Sequence, residues 1–212
     1  MPIDLPAGEV LMARPRRNTA PDAIHHIVNR GNRKKLIFRK EGDYRAFVEI
    51  LEQAVDKFGV RLIAFCVMPN HWHLVVWPDQ RVSISAFMHW VTSTHVRRYH
   101  LHHGLTGTGH LYQARYRNHV CKDDRGVLAV MRYVEGNPVA AGIVRRAQSW
   151  RWSSLRMRMD GADRGFLSDP PITLPENWPT YINENTACRR NAADGEKVPS
   201  ESAEACSELD DS

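Results

Sequence analysis

The stretch that decides the fold is Val60–Trp77, VRLIAFCVMPNHWHLVVW. Val60 to Val67 and His71 to Trp77 are dense in β-formers, and Met68-Pro69-Asn70 separates them, so the stretch predicts a β-hairpin. Upstream, Asp43 to Phe58 spaces Phe47, Ile50, Leu51, Ala54 and Val55 by threes and fours, which predicts an amphipathic helix ended by Gly59. Earlier still, Ile24–Arg30 (IHHIVNR) reads as a short strand before a turn at Gly31-Asn32. Downstream, Ser83–His100 has helical periodicity through Ile84, Phe87, Met88, Val91 and His95. A strand is expected over Arg115–Cys121. Asp123 or Asp124 then caps a helix whose apolar stripe is Val127, Val130, Met131 and Val134. The order β-α-β-β-α-β-α is that of a ferredoxin-like, split βαβ sandwich of the α+β class. Such a sheet leaves one face bare unless a further helix covers it.

Ser149–Leu155 (SWRWSSL) predicts an ordered extension packed by Trp150 and Trp152. The expected organisation is a flexible basic arm over 1–22, a main domain over 23–145, a Trp-containing extension over 146–183 and a disordered acidic tail over 184–212. The tail has almost no large apolar residue to bury. Of 212 residues, 42% are hydrophobic and 25% charged, the usage of a globular protein. No apolar run reaches 18 residues, so no membrane partner is expected. The N-terminal MPIDLPAGEVLMARPRR lacks the apolar core of a signal peptide, and Met12 offers a second start. Cys66, Cys121, Cys188 and Cys206 form no CxxC pair, so reduced thiols in a cytoplasmic, nucleoid-associated protein are expected.

The charge is uneven. Residues 184–212 hold eight acids and three bases, whereas residues 1–183 carry 26 bases and 16 acids. A basic body with an acidic end suits a polyanion partner, nucleic acid above all, and equally a solvated basic surface.

Three groups of residues could carry chemistry. In a strand, His71 and His73 project to one face with Trp72 on the other, and two neighbouring imidazoles supply half the shell of a divalent metal. The other reading is ordinary sheet histidines. A second pair, His100 and His102, sits near a helix end, where an i, i+2 spacing diverges by about 200° and chelates poorly. Tyr133 and Asn137 are one helical turn apart on one face, so a phenol nucleophile and an amide ligand for a metal are adjacent. The other reading is a packing tyrosine and a helix terminator before Pro138. Arg115, Arg117 and His119 share one strand face suited to a phosphate backbone, with Tyr116 available for base stacking. A charged edge strand that resists aggregation has the same pattern. Arg30 joins these as a nucleic-acid contact.

Taken together, His25-HIVNRGN, Ile37-Phe38-Arg39, Met68-PNHWHLVV, Gly109-HLYQARYRN, Arg132-YVEGNPVAAGIV and Trp150-RWSS resemble the HUH-type single-strand-DNA tyrosine transposases, in the family's order over roughly residues 20–160. The Trp150-RWSS element points to the REP-associated tyrosine transposase branch. The resemblance implies that 23–145 is a catalytic domain in which His71, His73 and Asn137 bind Mg2+ or Mn2+ and Tyr133 is the nucleophile. It implies a 5′-phosphotyrosine intermediate, a free 3′-OH, and single-stranded DNA with hairpin or palindromic repeats as partner, for a monomer or homodimer. Glu135-Gly136 stands where the family often has His or Tyr and then Leu or Ile, which adds a carboxylate within reach of the metal. Two other readings compete: a catalytically inactive, domesticated nucleic-acid-binding protein, and a metal-dependent nuclease that uses water.

Overall fold

The structure, a computed structural model, describes residues 22–161 and 165–193, with the backbone alone at 185 and 187–193. The chain forms β1 (His25–Arg30), α1 (Glu41–Phe58), β2 (Arg61–Met68), β3 (His71–Trp77), α2 (Ile84–His103), β4 (Arg117–Val120), α3 (Asp124–Ala140), α4 (Ser154–Met159) and α5 (Trp178–Ala193). The strands lie in the order β2-β3-β1-β4, and every neighbouring pair is antiparallel. β1 and β2, joined through α1, are therefore parallel with β3 between them, the split βαβ arrangement the sequence predicts. Gly59 closes α1 in the left-handed region (φ 63°), and the Asp123 carboxylate caps α3 by accepting from Gly126 N–H at 2.7 Å. No described helix is long and apolar enough to cross a membrane.

β4 is shorter than the expected Arg115–Cys121. Arg30 C=O accepts from Gln113 N–H and Gly31 bridges Tyr112, whereas regular pairing with β1 resumes only at Val28 and Arg117. Residues 114–116 therefore bulge out of the ladder. α3 also runs through Asn137-Pro138 to Ala140 instead of stopping before the proline.

Both sheet faces are covered. α1 and α2 pack on Ile27, Leu62, Phe65, Val67, Trp72 and Leu74. α3 packs on the opposite face, over Ile63, Ala64, Cys66, Met68 and Val75. A register irregularity between Leu62 and Ala64 lets two consecutive residues of β2 serve the α3 side. The outer edge of β2 is closed by the Trp-containing extension. Val67 N–H donates to Trp152 C=O, Trp150 Nε1–H donates to Val67 C=O at 3.0 Å, and Ser153 bridges Cys66. Pairing this edge removes the template it would offer to another chain.

The C-terminal boundary expected at Asn183 needs correcting. α5 continues to Ala193, and Thr186 is buried against α3. The contact depends on Gly136: a Cβ there would stand 2.5 Å from Thr186 Oγ1 and 3.3 Å from Ile182 Cγ2. A polar, small-residue contact of this kind leaves no apolar stripe in the sequence. The expected basic arm, apart from its last residue, and the acidic segment beyond Ala193 lie outside the described residues.

Gly136→Ala gains helix propensity of about 1 kcal/mol, yet the clash should leave it destabilised by about 1–3 kcal/mol. In a Thr186→Ala background the 2.5 Å contact is gone and the closest remaining neighbour is Ile182 Cγ2 at 3.3 Å, so the same substitution should cost much less, close to neutral. A urea-denaturation double-mutant cycle measures this. Stabilisation by Gly136→Ala in the unmodified chain would contradict the α3–α5 contact.

Candidate active site

Strand alternation on the α3 side of the sheet sets out the candidate residues. β3 turns His71 and His73 to this face and sends Trp72 into the opposite core, where its indole N–H donates to Tyr112 Oη at 2.9 Å. The register then builds short cross-sheet rows: Arg30 beside His71, Arg117 and His73 flanking Val28, and His119 beside His26. α3 lies above, with Tyr133 and Asn137 one turn apart. Together these residues line a cleft of about 550 Å3.

His26 Nε2 and His73 Nδ1 are 3.0 Å apart, and their rings stack with centroids separated by 5.2 Å. The Tyr133 ring stands nearly perpendicular to both, 5.5 Å from His73 and 5.9 Å from His26. The His71 and His73 centroids are 4.9 Å apart. Asn70 Nδ2 donates to Lys34 C=O, which orients the amide so that its oxygen accepts from His71 Nδ1–H at 2.7 Å. In the neutral ring His71 Nε2 is then a lone pair, and the nearby Asn137 side chain favours the protonated form, in which that nitrogen can donate to the amide oxygen.

Burial controls the protonation of these rings. It lowers the pKa of His26 to about 4, with His119 adding to the effect. His71 is also lowered to about 4, by burial and then by Arg30, against the Asn137 hydrogen bond. His73 is driven well below the usual imidazole range by burial, then by His26, His71 and Arg30. At neutral pH all three are uncharged, the state in which imidazole binds a metal. His73 Nε2 and His26 Nδ1 are buried with no protein partner. When His73 Nδ1–H donates to His26 Nε2, His73 Nε2 is a bare, buried lone pair. That orphaned donor suits a cation.

Of the sequence candidates, Tyr133, His71, His73, Asn137, Arg30, Arg115, Arg117 and His119 all line this one cleft. Tyr116 does not. It is buried in the α1–α2 core and lines the adjoining cavity beside α2. Glu135 also faces away: its carboxylate accepts from Ser154 Oγ–H (2.5 Å) and Trp178 Nε1–H (2.6 Å), which corrects the expectation of an acid within reach of the metal. Sequence reasoning missed His26, although its period-two spacing from Val28 and Arg30 marks the same face. A different metal-capable group, Asp43, His102 and His103, lies outside the cleft, with its ligand atoms within 4.8 Å of one another. There, however, Asp43 accepts from the Arg39 and Lys40 amides at the start of α1, and Lys40 Nζ donates to His102 Nε2 at 2.7 Å. A resident ammonium makes that cluster a cap tying α1 to α2.

Fold and cleft thus define an α+β protein with a tyrosine helix laid over a histidine-bearing sheet, the class of the DNA-processing transposases. The family model for IS200-like transposases matches residues 19–137, more than half of the chain, and the chain belongs to this family. A solved REP-associated tyrosine transposase bound to a REP hairpin is similar at 17% identity, over 78% of this chain and 96% of that one, with a TM-score of 0.57. At that identity the likeness is one of fold. A candidate transposase from Deinococcus radiodurans R1 aligns at 17% identity over 58% of this chain and 96% of its own, with a TM-score of 0.42, too distant to argue from. No curated protein matches.

The buried histidines make folding acid-sensitive. Above pH 6.5 His26 is neutral in both the folded and the unfolded chain. Below it, the unfolded imidazole takes a proton that the folded ring refuses until about pH 4. Stability is therefore present above pH 6.5 and lost as pH falls towards 4, by at most about 1.4 kcal/mol per pH unit from this group. In metal-free buffer, His26→Gln should flatten the loss between pH 6.5 and 4.5. An unchanged slope in denaturant titrations would contradict the assignment.

Proposed function

We propose that this transposase nicks and rejoins single-stranded DNA through Tyr133. The observation that carries the reading is the Tyr133 ring standing over the His26–His73 pair in a cleft lined, among the described residues, by arginines and no acidic residue. A phosphodiester is drawn to such a lining, where Arg30, Arg115 and Arg117 supply positive charge with His119 beside them. The Tyr133 hydroxyl attacks phosphorus and loses its proton, while the departing 3′-oxygen gains one. The products are a 5′-phosphotyrosine and a free 3′-OH. Attack on that linkage by a 3′-OH restores a phosphodiester and the phenol, so rejoining needs no external energy.

His71 and His73 through Nε2, and Asn137 through its amide oxygen, fit a divalent cation, Mg2+ or Mn2+. Bound there, it supplies positive charge to a non-bridging phosphate oxygen. The neutral imidazoles and the orphaned His73 Nε2 support that fit. Asn70 and His26 hold the other ring nitrogens and so fix how both ligands face the cleft. Hairpin or palindromic repeats are the proposed substrate, supported by the motif resemblance and by the hairpin bound to the REP-associated relative of the same fold.

Tyr133→Phe keeps the ring and should still bind a hairpin oligonucleotide while forming no covalent adduct on a denaturing gel with Mn2+. An adduct that persists in Tyr133→Phe overturns the assignment, and binding without any adduct in the unmodified protein favours a silent DNA binder. Removing His26 should weaken Mn2+ binding by roughly 10–100-fold, whereas His102→Ala should not change it. Isothermal titration with Mn2+ alone separates the two clusters.

A further inference from the structure

Glu135 is 1% exposed and lies two residues from both Tyr133 and Asn137, about 200° around the helix from each and so on the far side of α3. A carboxylate in such a place needs a reason, since an apolar residue would bury at lower cost. Its two oxygens are used separately. Oε1 accepts from Ser154 at the start of α4, and Oε2 accepts from the Trp178 indole at the start of α5. Ser154 Oγ in turn accepts from Phe65 N–H at 3.0 Å and lies 3.2 Å from Phe65 C=O, so it is fastened to the backbone of β2. β2 pairs with β3 in fixed register there, Phe65 opposite Leu74 and Cys66 opposite His73. The chain of contacts therefore closes a ring: Tyr133 and Asn137 on α3, then Glu135, Ser154, Phe65, and back through the hairpin to His71 and His73. Gly136, next to Glu135, reinforces it by admitting α5 close against α3.

We propose that Glu135 is a positioning residue: through Ser154 and Trp178 it fixes the rotation of α3 over the sheet, and so the approach of Tyr133 and Asn137 to the histidine pair. The catalytic consequence rests on the nicking role given to Tyr133, whereas the geometric one does not. A residue that merely filled space could be replaced by methionine without effect on the cleft. Glutamine can rebuild both links, its oxygen accepting from Trp178 and its amide donating to Ser154 Oγ.

The test compares the full chain with Glu135→Gln, Glu135→Met and Ser154→Ala, each held below its measured melting temperature. Two readouts are taken: the single-turnover rate of adduct formation at saturating hairpin DNA, and the NMR shifts of the His26 and His73 ring protons, which sense the Tyr133 ring current. Expected are a loss of adduct rate of roughly tenfold or more in Glu135→Met with hairpin affinity retained, displaced ring-proton shifts, and recovery of both in Glu135→Gln. Ser154→Ala should move both readouts in the same direction as methionine. Wild-type shifts and rate in folded Glu135→Met would overturn the proposal. Displaced shifts in a protein whose unmodified form makes no adduct would support the positioning and reject the nicking role. Should Glu135→Met fail to fold, Ser154→Ala decides alone.

Discussion

The register between β1 and β3, with Val28 opposite His73 and Arg30 opposite His71, is the constraint from which the rest of the molecule follows. β3 is covered on both faces, so a slip of one residue would exchange its two sets of side chains. Trp72 would enter the cleft, and His71 and His73 would be driven into the α1–α2 core. The penalty for that exchange is large on both sides: an indole loses its buried partner Tyr112, and two imidazoles lose their polar surroundings. Hydrophobic burial on one face thus fixes the polar arrangement on the other. The β2 edge gives a second reason why the hairpin does not shift, because its outward backbone groups are engaged by residues 150–154.

Much of this was legible in the sequence where a single periodicity governed the outcome. The hairpin, the amphipathic α1 and the valine stripe of α3 follow from spacing, and so does the shared face of His71 and His73. Tyr133 and Asn137 share a helix face for the same reason. Legibility ended where tertiary contacts replaced periodicity. In IHHIVNR both His25 and His26 are buried; period-two spacing puts His26 on the face of Arg30, but it is the pairing of β1 with β3 and β4 that brings that face to His73 and leaves His25 bonded to Asn118. The bulge at residues 114–116 depends on Gly31 meeting Tyr112, a contact between distant segments. The boundary expected at residue 183 falls inside α5 because Thr186 and a glycine make the contact, and neither contributes to an apolar pattern. Tyr116 closes the bulge and turns into the α1–α2 core, a placement that depends on the same contact of Gly31 with Tyr112.

The cleft is also defined by where negative charge is kept away from it. Asn137 offers an oxygen without a charge, and the nearest carboxylate on α3, Glu135, is turned to the far side and held by two donors. Burial raises the Glu135 pKa against the opposing effect of those donors and of Arg158, so its surroundings favour the protonated form more than water does. Burial acts on the cleft imidazoles in the opposite chemical sense but to the same end: each group is biased to its neutral form. A histidine cluster titrating near its ordinary value would be partly cationic at neutral pH, repelling a metal and leaving its ring nitrogens protonated. The buried trio instead presents lone pairs. The fixed positive charge is supplied by arginines, which do not titrate in this range.

This separation of roles explains why one short helix can serve two interfaces. α3 turns Tyr133 and Asn137 towards a polar, acid-free cleft and Glu135 and Gly136 towards α4 and α5, all within five consecutive residues. At about 100° per residue Glu135 stands about 200° from both Tyr133 and Asn137, while Gly136 lies on the flank between, where α5 packs. The motif resemblance concerns the cleft-facing pair, where the chemistry constrains residue type. Glu135 and Gly136 answer to the segments that follow α3: Glu135 takes a serine and an indole as partners, and Gly136 admits a neighbouring helix close enough to exclude a methyl group. Both departures from the family pattern therefore serve the packing of α3 against α4 and α5, one as a carboxylate anchor and the other as a close helix contact.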